Sequence, residues 1–249
     1  MSLKIGLNLT RNYSINFSLP KRVKKRLKFI IIHYTGMKNE TEAIKRLCDT
    51  RSKVSSHYFI KNSGEILVLV PDLYEAWHAG NSNWKNLKSL NKYSIGIEIQ
   101  NPGHENNYTK FRSNQITSLI KLLSHLKKKY KIKSKNILGH SDIAPNRKKD
   151  PGEKFPWEYL SKRQIGHWHN LSQKKLLEKR SKEISIVEKN TFIKNLYKIG
   201  YPKNPIKKND NYLKKLTTAF QRRFRKDLIN GLPDAECLII SSNLKKKFK

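Results

Sequence analysis

Phe29-Ile30-Ile31-Ile32-His33 opens with four apolar residues in succession and is halted by Thr35-Gly36. β-Branched side chains crowd a helix and fit a pleated strand, so this run reads as a buried strand. His33 then stands at its C-terminal end. A basic stretch, Lys21 to Lys28, leads into it. Downstream, Glu40 to Thr50 has helical spacing at Ala43, Ile44 and Leu47. Ser56-His57-Tyr58-Phe59-Ile60 and Glu65 to Val70 flank the turn Asn62-Ser63-Gly64 and predict a hairpin. Tyr93-Ser94-Ile95-Gly96-Ile97-Glu98-Ile99-Gln100 alternates strictly. Its three isoleucines therefore share one face while Gly96 and Glu98 share the other. A carboxylate in the middle of such a strand calls for a reason. Asn114 to Tyr130 repeats apolar residues at helical spacing, and Asn136-Ile137-Leu138-Gly139-His140 reads as another short strand that ends on a histidine.

Beyond Trp157 the character changes. Leu171 to Glu183 is dense in Lys and Glu and reads as a helical or flexible connector. Ile186 to Leu196 and Leu213 to Phe224 are candidate amphipathic helices, separated by the breaker Gly200-Tyr201-Pro202 and a loop at Pro205.

With 249 residues the chain is long enough for one ordinary domain and a small second one. Lys and Arg number 53 against 19 Asp and Glu, a formal charge of +34, which draws the protein to polyanions without choosing among them. No zinc finger, RRM or comparable nucleic-acid motif accompanies that charge, so no specific nucleic acid is expected as a partner. Cys48 and Cys237 are too few and too far apart for a disulfide framework or a thiolate metal cluster. Met1 to Phe17 lacks the uninterrupted apolar core of a secretory signal, and no run approaches the roughly 20 residues of a membrane helix.

Gly139-His140-Ser141-Asp142-Ile143-Ala144-Pro145, continuing through Arg147-Lys148-Lys149-Asp150-Pro151-Gly152 to Phe155-Pro156-Trp157, resembles the second half of the N-acetylmuramoyl-L-alanine amidase type 2 family. Ile32-His33-Tyr34-Thr35-Gly36-Met37, Val54-Ser55-Ser56-His57-Tyr58, Ala76-Trp77-His78-Ala79-Gly80 with Ser82 and Trp84, and Ile95 to Ile99 resemble it in the same order. The resemblance implies an α/β fold, a central mixed β-sheet flanked by helices, with the active site at one edge of the sheet. The last segment, with Ala219-Phe220-Gln221-Arg222-Arg223-Phe224-Arg225, Gly231 and Asp234, resembles the small three-helix peptidoglycan-binding domain often attached to such enzymes. The division that follows is an N-terminal arm over 1–27, a catalytic domain over 28–170, a linker over 171–185 and an all-helical module over 186–249.

Carried over position by position, the resemblance implies that His33, His140 and Asp150 bind one Zn2+ ion, with Glu98 and Lys148 as catalytic neighbours. Spacing alone does not join the two histidines. The chemistry suits the set: three N and O ligands leave zinc an open position, Glu98 is placed to accept a proton from water, and Lys148 to meet an oxyanion. Lys149 differs from Lys148 only in register; Lys148 is favoured because the family's lysine precedes its third ligand by two positions. Tyr34, Trp77, His78 and Trp84 are implied to face the substrate, although packing would account for the two tryptophans as well. His57 is expected to be structural, and His167-Trp168-His169 to be surface.

The implied reaction is hydrolysis of the amide between N-acetylmuramic acid, or its anhydro form, and L-alanine in peptidoglycan or muropeptides. A monomer is the expected state, although the sequence itself does not decide oligomerisation. A non-catalytic peptidoglycan-recognition protein on the same fold is the rival reading, and would typically lack the full ligand set. Localisation is left open: the lack of a visible signal suggests the cytoplasm, whereas a wall-binding module and the positive charge suggest the periplasm.

Overall fold

A computed structural model describes residues 9–203 and 210–247; the first eight residues and the loop at Pro205 lie outside the described residues. The strands are β1 (Leu9–Arg11), β2 (Phe17–Ser18), β3 (Phe29–Tyr34), β4 (Tyr58–Ile60), β5 (Ile66–Val68), β6 (Glu75–Ala76), β7 (Asn83–Trp84), β8 (Leu87–Lys88), β9 (Ser94–Ile99) and β10 (Ile137–Gly139). The helices are α1 (Glu40–Cys48), α2 (Ser113–Tyr130), α3 (His140–Ile143), α4 (Trp157–Ser161), α5 (Gln173–Lys179), α6 (Ile186–Ile199), α7 (Asp210–Phe224) and α8 (Ala235–Lys247). Six strands form one mixed sheet in the order β1-β5-β4-β9-β3-β10. Only the β4–β5 hairpin is antiparallel within it.

Strand β3 lies between β9 and β10, parallel to both. Helices cover both faces of a parallel interior strand, which is why its sequence is a continuous apolar run rather than an alternation. On one face Ile30, Ile32, Ile95, Ile97 and Ile99 meet Ile116, Leu119, Leu123 and Leu126 of α2. Each such isoleucine contributes about 1.5–3 kcal/mol through burial. On the other face Phe29, Ile31 and Leu138 meet Trp84 and, beyond it, Phe192, Leu196, Phe220 and Ile240 of the C-terminal helices.

Two segments depart from the sequence reading. The arm supplies an edge strand, since Leu9–Arg11 pairs in parallel with β5, and Phe17–Ser18 pairs with β6. Its mixed polar and apolar residues carry no alternation that would have marked a strand. His140 does not end β10 but opens the single turn of α3, immediately after Gly139.

The C-terminal helices are not a loosely tethered body. The stretch expected as connector contains α5, and α6 starts at a capping box in which Ser185 Oγ accepts from Glu188 N and Ser185 N donates to the Glu188 carboxylate. α6 ends at Gly200, with φ +137°. A Cβ at that position would lie 2.5 Å from Trp84 Cε2, so only glycine lets the helix end rest on that ring. Periodicity missed α8, whose inward positions include Glu236 and Ser241 beside Cys237, Ile240 and Leu244. Trp168 is also no surface residue: its ring lies 5.4 Å from that of Phe224, and His169 is 9% exposed. The His167-Trp168-His169 segment closes the seam between sheet and helices, where aromatic rings exclude water.

Candidate active site

His33 is the fifth residue of β3 and pairs in register with Glu98 of β9. Both point away from the α2 face, because each alternates with the isoleucines that face α2. His140 enters from the start of α3, and Asp150 from the following irregular loop; Ser141 N donates to Asp150 O at 2.8 Å and anchors that loop. Three buried ligand atoms converge. His33 Nδ1 lies 2.9 Å from His140 Nδ1, and Asp150 Oδ2 lies 3.0 Å from each.

The outer nitrogen of His140 shows what these atoms need. Nε2 faces the carbonyl of Ala79 at 3.1 Å. A carbonyl only accepts, so Nε2 donates to it, and Nδ1 is the ring nitrogen left to offer a lone pair to an ion. That lone pair faces a second imidazole nitrogen and a carboxylate. Two buried nitrogens and a carboxylate oxygen, mutually within 3.0 Å, fit a divalent cation held by N and O ligands. Burial pushes the His33 imidazole down to about 4, aided by His140, so the neutral ligand form prevails at neutral pH.

Glu98 stands beside this triangle. Its Oε2 is buried with no protein partner, an arrangement that disfavours the charge. Burial, then repulsion from Asp150, raises its carboxyl from 4.5 to about 8, with Lys148 pulling the other way. These groups line a cleft of about 440 Å³ together with Tyr34 and Trp77, and Arg46, Arg147 and Lys149 also contribute to its wall. Lys148 is half-buried, whereas Lys149 is exposed and bonded to Glu105 at 2.6 Å. The structure thus distinguishes two lysines that sequence distinguished only by register.

The implied substrate contacts divide. Tyr34 and Trp77 lie on the cleft wall. Trp84 does not: it is 1% exposed and sits edge-on to Tyr201 at 5.2 Å, within the core beneath the C-terminal helices. His78 reaches the cleft wall, but both its ring nitrogens are engaged inward, Nδ1 with His33 Nε2 at 3.0 Å and Nε2 with Ser94 Oγ at 3.1 Å. Neither is left for a substrate peptide. His57 is structural as expected, fully buried, with Nδ1 accepting from Gly96 N at 2.9 Å.

Gly96 makes the ring of His78 possible, since a Cβ there would lie 2.4 Å from its Cγ. Overpacking of this kind costs about 1–3 kcal/mol. Gly96→Ala is expected to lower stability by that amount, measured as a fall in the urea midpoint at unchanged slope.

Sequence reasoning missed the support of Tyr34. Its hydroxyl bonds His104 Nδ1 at 2.8 Å, and His104 Nε2 bonds Glu153 Oε2 at 3.0 Å. His104 opens a single 3-10 turn, His104–Asn106, too short to show periodicity in sequence, and only the folded chain brings it to Tyr34. Behind α3, Asp142 accepts from Gly139 N at 2.7 Å and from Tyr201 Oη at 2.8 Å, and is ion-paired with Arg223 of α7.

The sequence profile described as N-acetylmuramoyl-L-alanine amidase (Amidase_2) matches residues 23–153. Over 235 residues the chain is 34% identical to the N-acetylmuramoyl-L-alanine amidase AmiD of Escherichia coli, covering 90% of this chain and 84% of that one. It is also 41% identical over 111 residues to the 1,6-anhydro-N-acetylmuramyl-L-alanine amidase AmpD of Haemophilus influenzae, 44% of this chain and 58% of the relative. Among solved structures, E. coli AmiD in complex with anhydro-N-acetylmuramic acid-L-Ala-D-γ-Glu-L-Lys superposes with a TM-score of 0.79 at 32% identity, over 92% of this chain and 93% of that one. AMPDH3 of Pseudomonas aeruginosa, in complex with an anhydromuramic pentapeptide, gives 0.78 at 30% identity, over 93% and 96%. The profile match spans more than half the chain, and both whole-length structural likenesses extend through the C-terminal helices; the chain belongs to the N-acetylmuramoyl-L-alanine amidase family.

Proposed function

We propose that this protein is a zinc-dependent N-acetylmuramoyl-L-alanine amidase that hydrolyses the amide between N-acetylmuramic acid, or its anhydro form, and L-alanine of muropeptides. The observation that carries the reading is the convergence of His33 Nδ1, His140 Nδ1 and Asp150 Oδ2 beside the unpartnered Oε2 of Glu98. A recognition protein needs neither a preformed ligand triangle nor a buried carboxyl next to it. The two whole-length structural relatives were solved with anhydromuramyl peptides bound, which supports the same substrate class here.

His33, His140 and Asp150 would hold the ion. Bound there, zinc supplies Lewis acidity toward water and the amide carbonyl, and its charge offsets the Asp150 repulsion that favours the protonated form of Glu98. Glu98 accepts a proton from the attacking water and returns it to the departing amine of L-alanine. Lys148 donates to the oxyanion that forms as the carbonyl is attacked. Tyr34, held by His104, and Trp77 contact the substrate. The basic groups around the cleft, Arg46 among them, match the carboxylates of a stem peptide. The C-terminal helices back the metal-ligand turn through Arg223 and Asp142.

Release of L-alanine-terminated peptide from anhydro-muropeptide and from whole sacculi tests this directly. Wild-type protein should release it, a chelator should abolish release, and His140→Ala should contain less than a tenth of the wild-type zinc by mass spectrometry of the metal. Zinc-loaded wild type that binds sacculi but releases nothing from either substrate would leave a recognition protein as the answer.

A further inference from the structure

The chain of groups behind His33 runs to a fixed end. Ser94 Oγ donates to the carbonyl of Leu90 at 2.6 Å, which uses its only proton. Toward His78 Nε2, 3.1 Å away, that hydroxyl can therefore only accept, so Nε2 of His78 carries a proton. The ring is buried and both its bonded partners are uncharged groups rather than carboxylates, so it keeps the single proton on Nε2 and its Nδ1 is a bare acceptor. The partner of that acceptor is His33 Nε2 at 3.0 Å, which must then donate. With its proton committed to that bond at Nε2, His33 turns an unprotonated Nδ1 to His140 and Asp150.

We propose that His78 is a positioning residue that locks His33 in the tautomer presenting a bare Nδ1 to the metal triangle, through the relay Leu90 O, Ser94 Oγ, His78, His33. The proposal rests on the reading of His33 as a zinc ligand. Outer partners of metal-binding histidines are usually carboxylates or backbone carbonyls; His140 has such a carbonyl, Ala79 O, whereas His33 uses a second imidazole. The ring has little freedom to do otherwise. It is 8% exposed, packed edge-on to His57 at 5.6 Å, and fits only because residue 96 is glycine. Without the acceptor at His78, the His33 proton can move to Nδ1 and bond Asp150, and zinc must then displace it to bind.

The test compares wild type with His78→Leu, which removes the acceptor, and His78→Asn, whose Oδ1 stands where Nδ1 stood. Metal-free protein labelled with 15N in histidine is read by long-range proton–nitrogen correlation, and zinc affinity by competition with a chromogenic chelator. In the wild type His33 should show the Nε2–H pattern. His78→Leu should populate Nδ1–H and weaken zinc about 10–100-fold, as loss of an outer partner does elsewhere. His78→Asn should stay within a few-fold of wild type. Zinc affinity unchanged in folded His78→Leu overturns the proposal, as does an equal loss in both variants, which would mark a packing effect. Should His78→Leu not fold, Ser94→Ala keeps the ring in place while removing the acceptor for its Nε2–H, and an unaltered His33 pattern there is equally fatal. Wild type that takes up no zinc would instead remove the ligand reading itself, a result visible before any variant is made.

Discussion

Glu98→Gln should reduce turnover about 10²–10⁴-fold, the usual contribution of a positioned acid–base group, with zinc content unchanged at one ion per chain. Glutamine keeps the size of the side chain and forms no ligand bond in the triangle, so loss of activity without loss of metal separates proton transfer from metal binding. Peptide release and metal analysis on the same preparation check both halves. Loss within tenfold would remove Glu98 from proton transfer. The same substitution has a second, opposite effect on the metal-free protein. The carboxyl is raised from 4.5 to about 8 on folding, so between those values the unfolded chain has already released a proton that the folded chain retains. Stability then falls as pH rises through that window, because the folded state binds more protons. Metal-free Glu98→Gln should lack this fall, and its advantage over wild type in urea midpoint should widen from pH 5 to pH 8. A residue that is costly to the empty fold and needed for turnover is the pattern of a functional group.

Arg223→Met should cost about 3–5 kcal/mol, the range for breaking one side of a buried ion pair. Arg223 and Asp142 are both nearly inaccessible, with 4% and 1% of their side chains exposed. The guanidinium also lies 4.0 Å over the ring of Trp157 and donates to the carbonyl of Ile137 at 3.2 Å. Methionine keeps most of the stem packing and leaves the Asp142 carboxylate without its cation, within the same turn that carries His140. Asp142→Asn combined with Arg223→Met should recover part of the loss, since the stranded charge is gone. Chemical denaturation measures both; a cost under 1 kcal/mol for the single variant would show that water reaches the pair.

The layout of the sheet was legible because it is written locally. Phe29 to Ile32 announce a strand covered on both sides, and the alternation Ile95, Ile97, Ile99 places Glu98 on the face opposite α2 with no further information. What could not be read is contact between segments far apart in the chain. Trp84 resembles a cleft residue in sequence, and only the arrival of Gly200 and Tyr201, more than a hundred residues later, buries it. His78 carries no mark that its nitrogens will meet His33 and Ser94 rather than a peptide. Asp142 and Arg223 are 81 positions apart, and each looks like an ordinary surface charge in its own neighbourhood. The strand at Leu9–Arg11 was invisible for a different reason: a short edge strand needs only backbone pairing, which leaves little trace in side-chain type.

The core that runs from Phe29 and Ile31 through Trp84 into α6, α7 and α8 has a mechanical meaning. Two bodies joined by a flexible tether can search a polymer independently, one holding while the other cuts. Here there is no swivel at the joint, because turning the helices against the sheet would tear Gly200 from Trp84 and Arg223 from Asp142. The cleft and the helices must therefore approach any glycan as one tool with a single orientation, and whatever those helices touch fixes the direction in which the cleft opens.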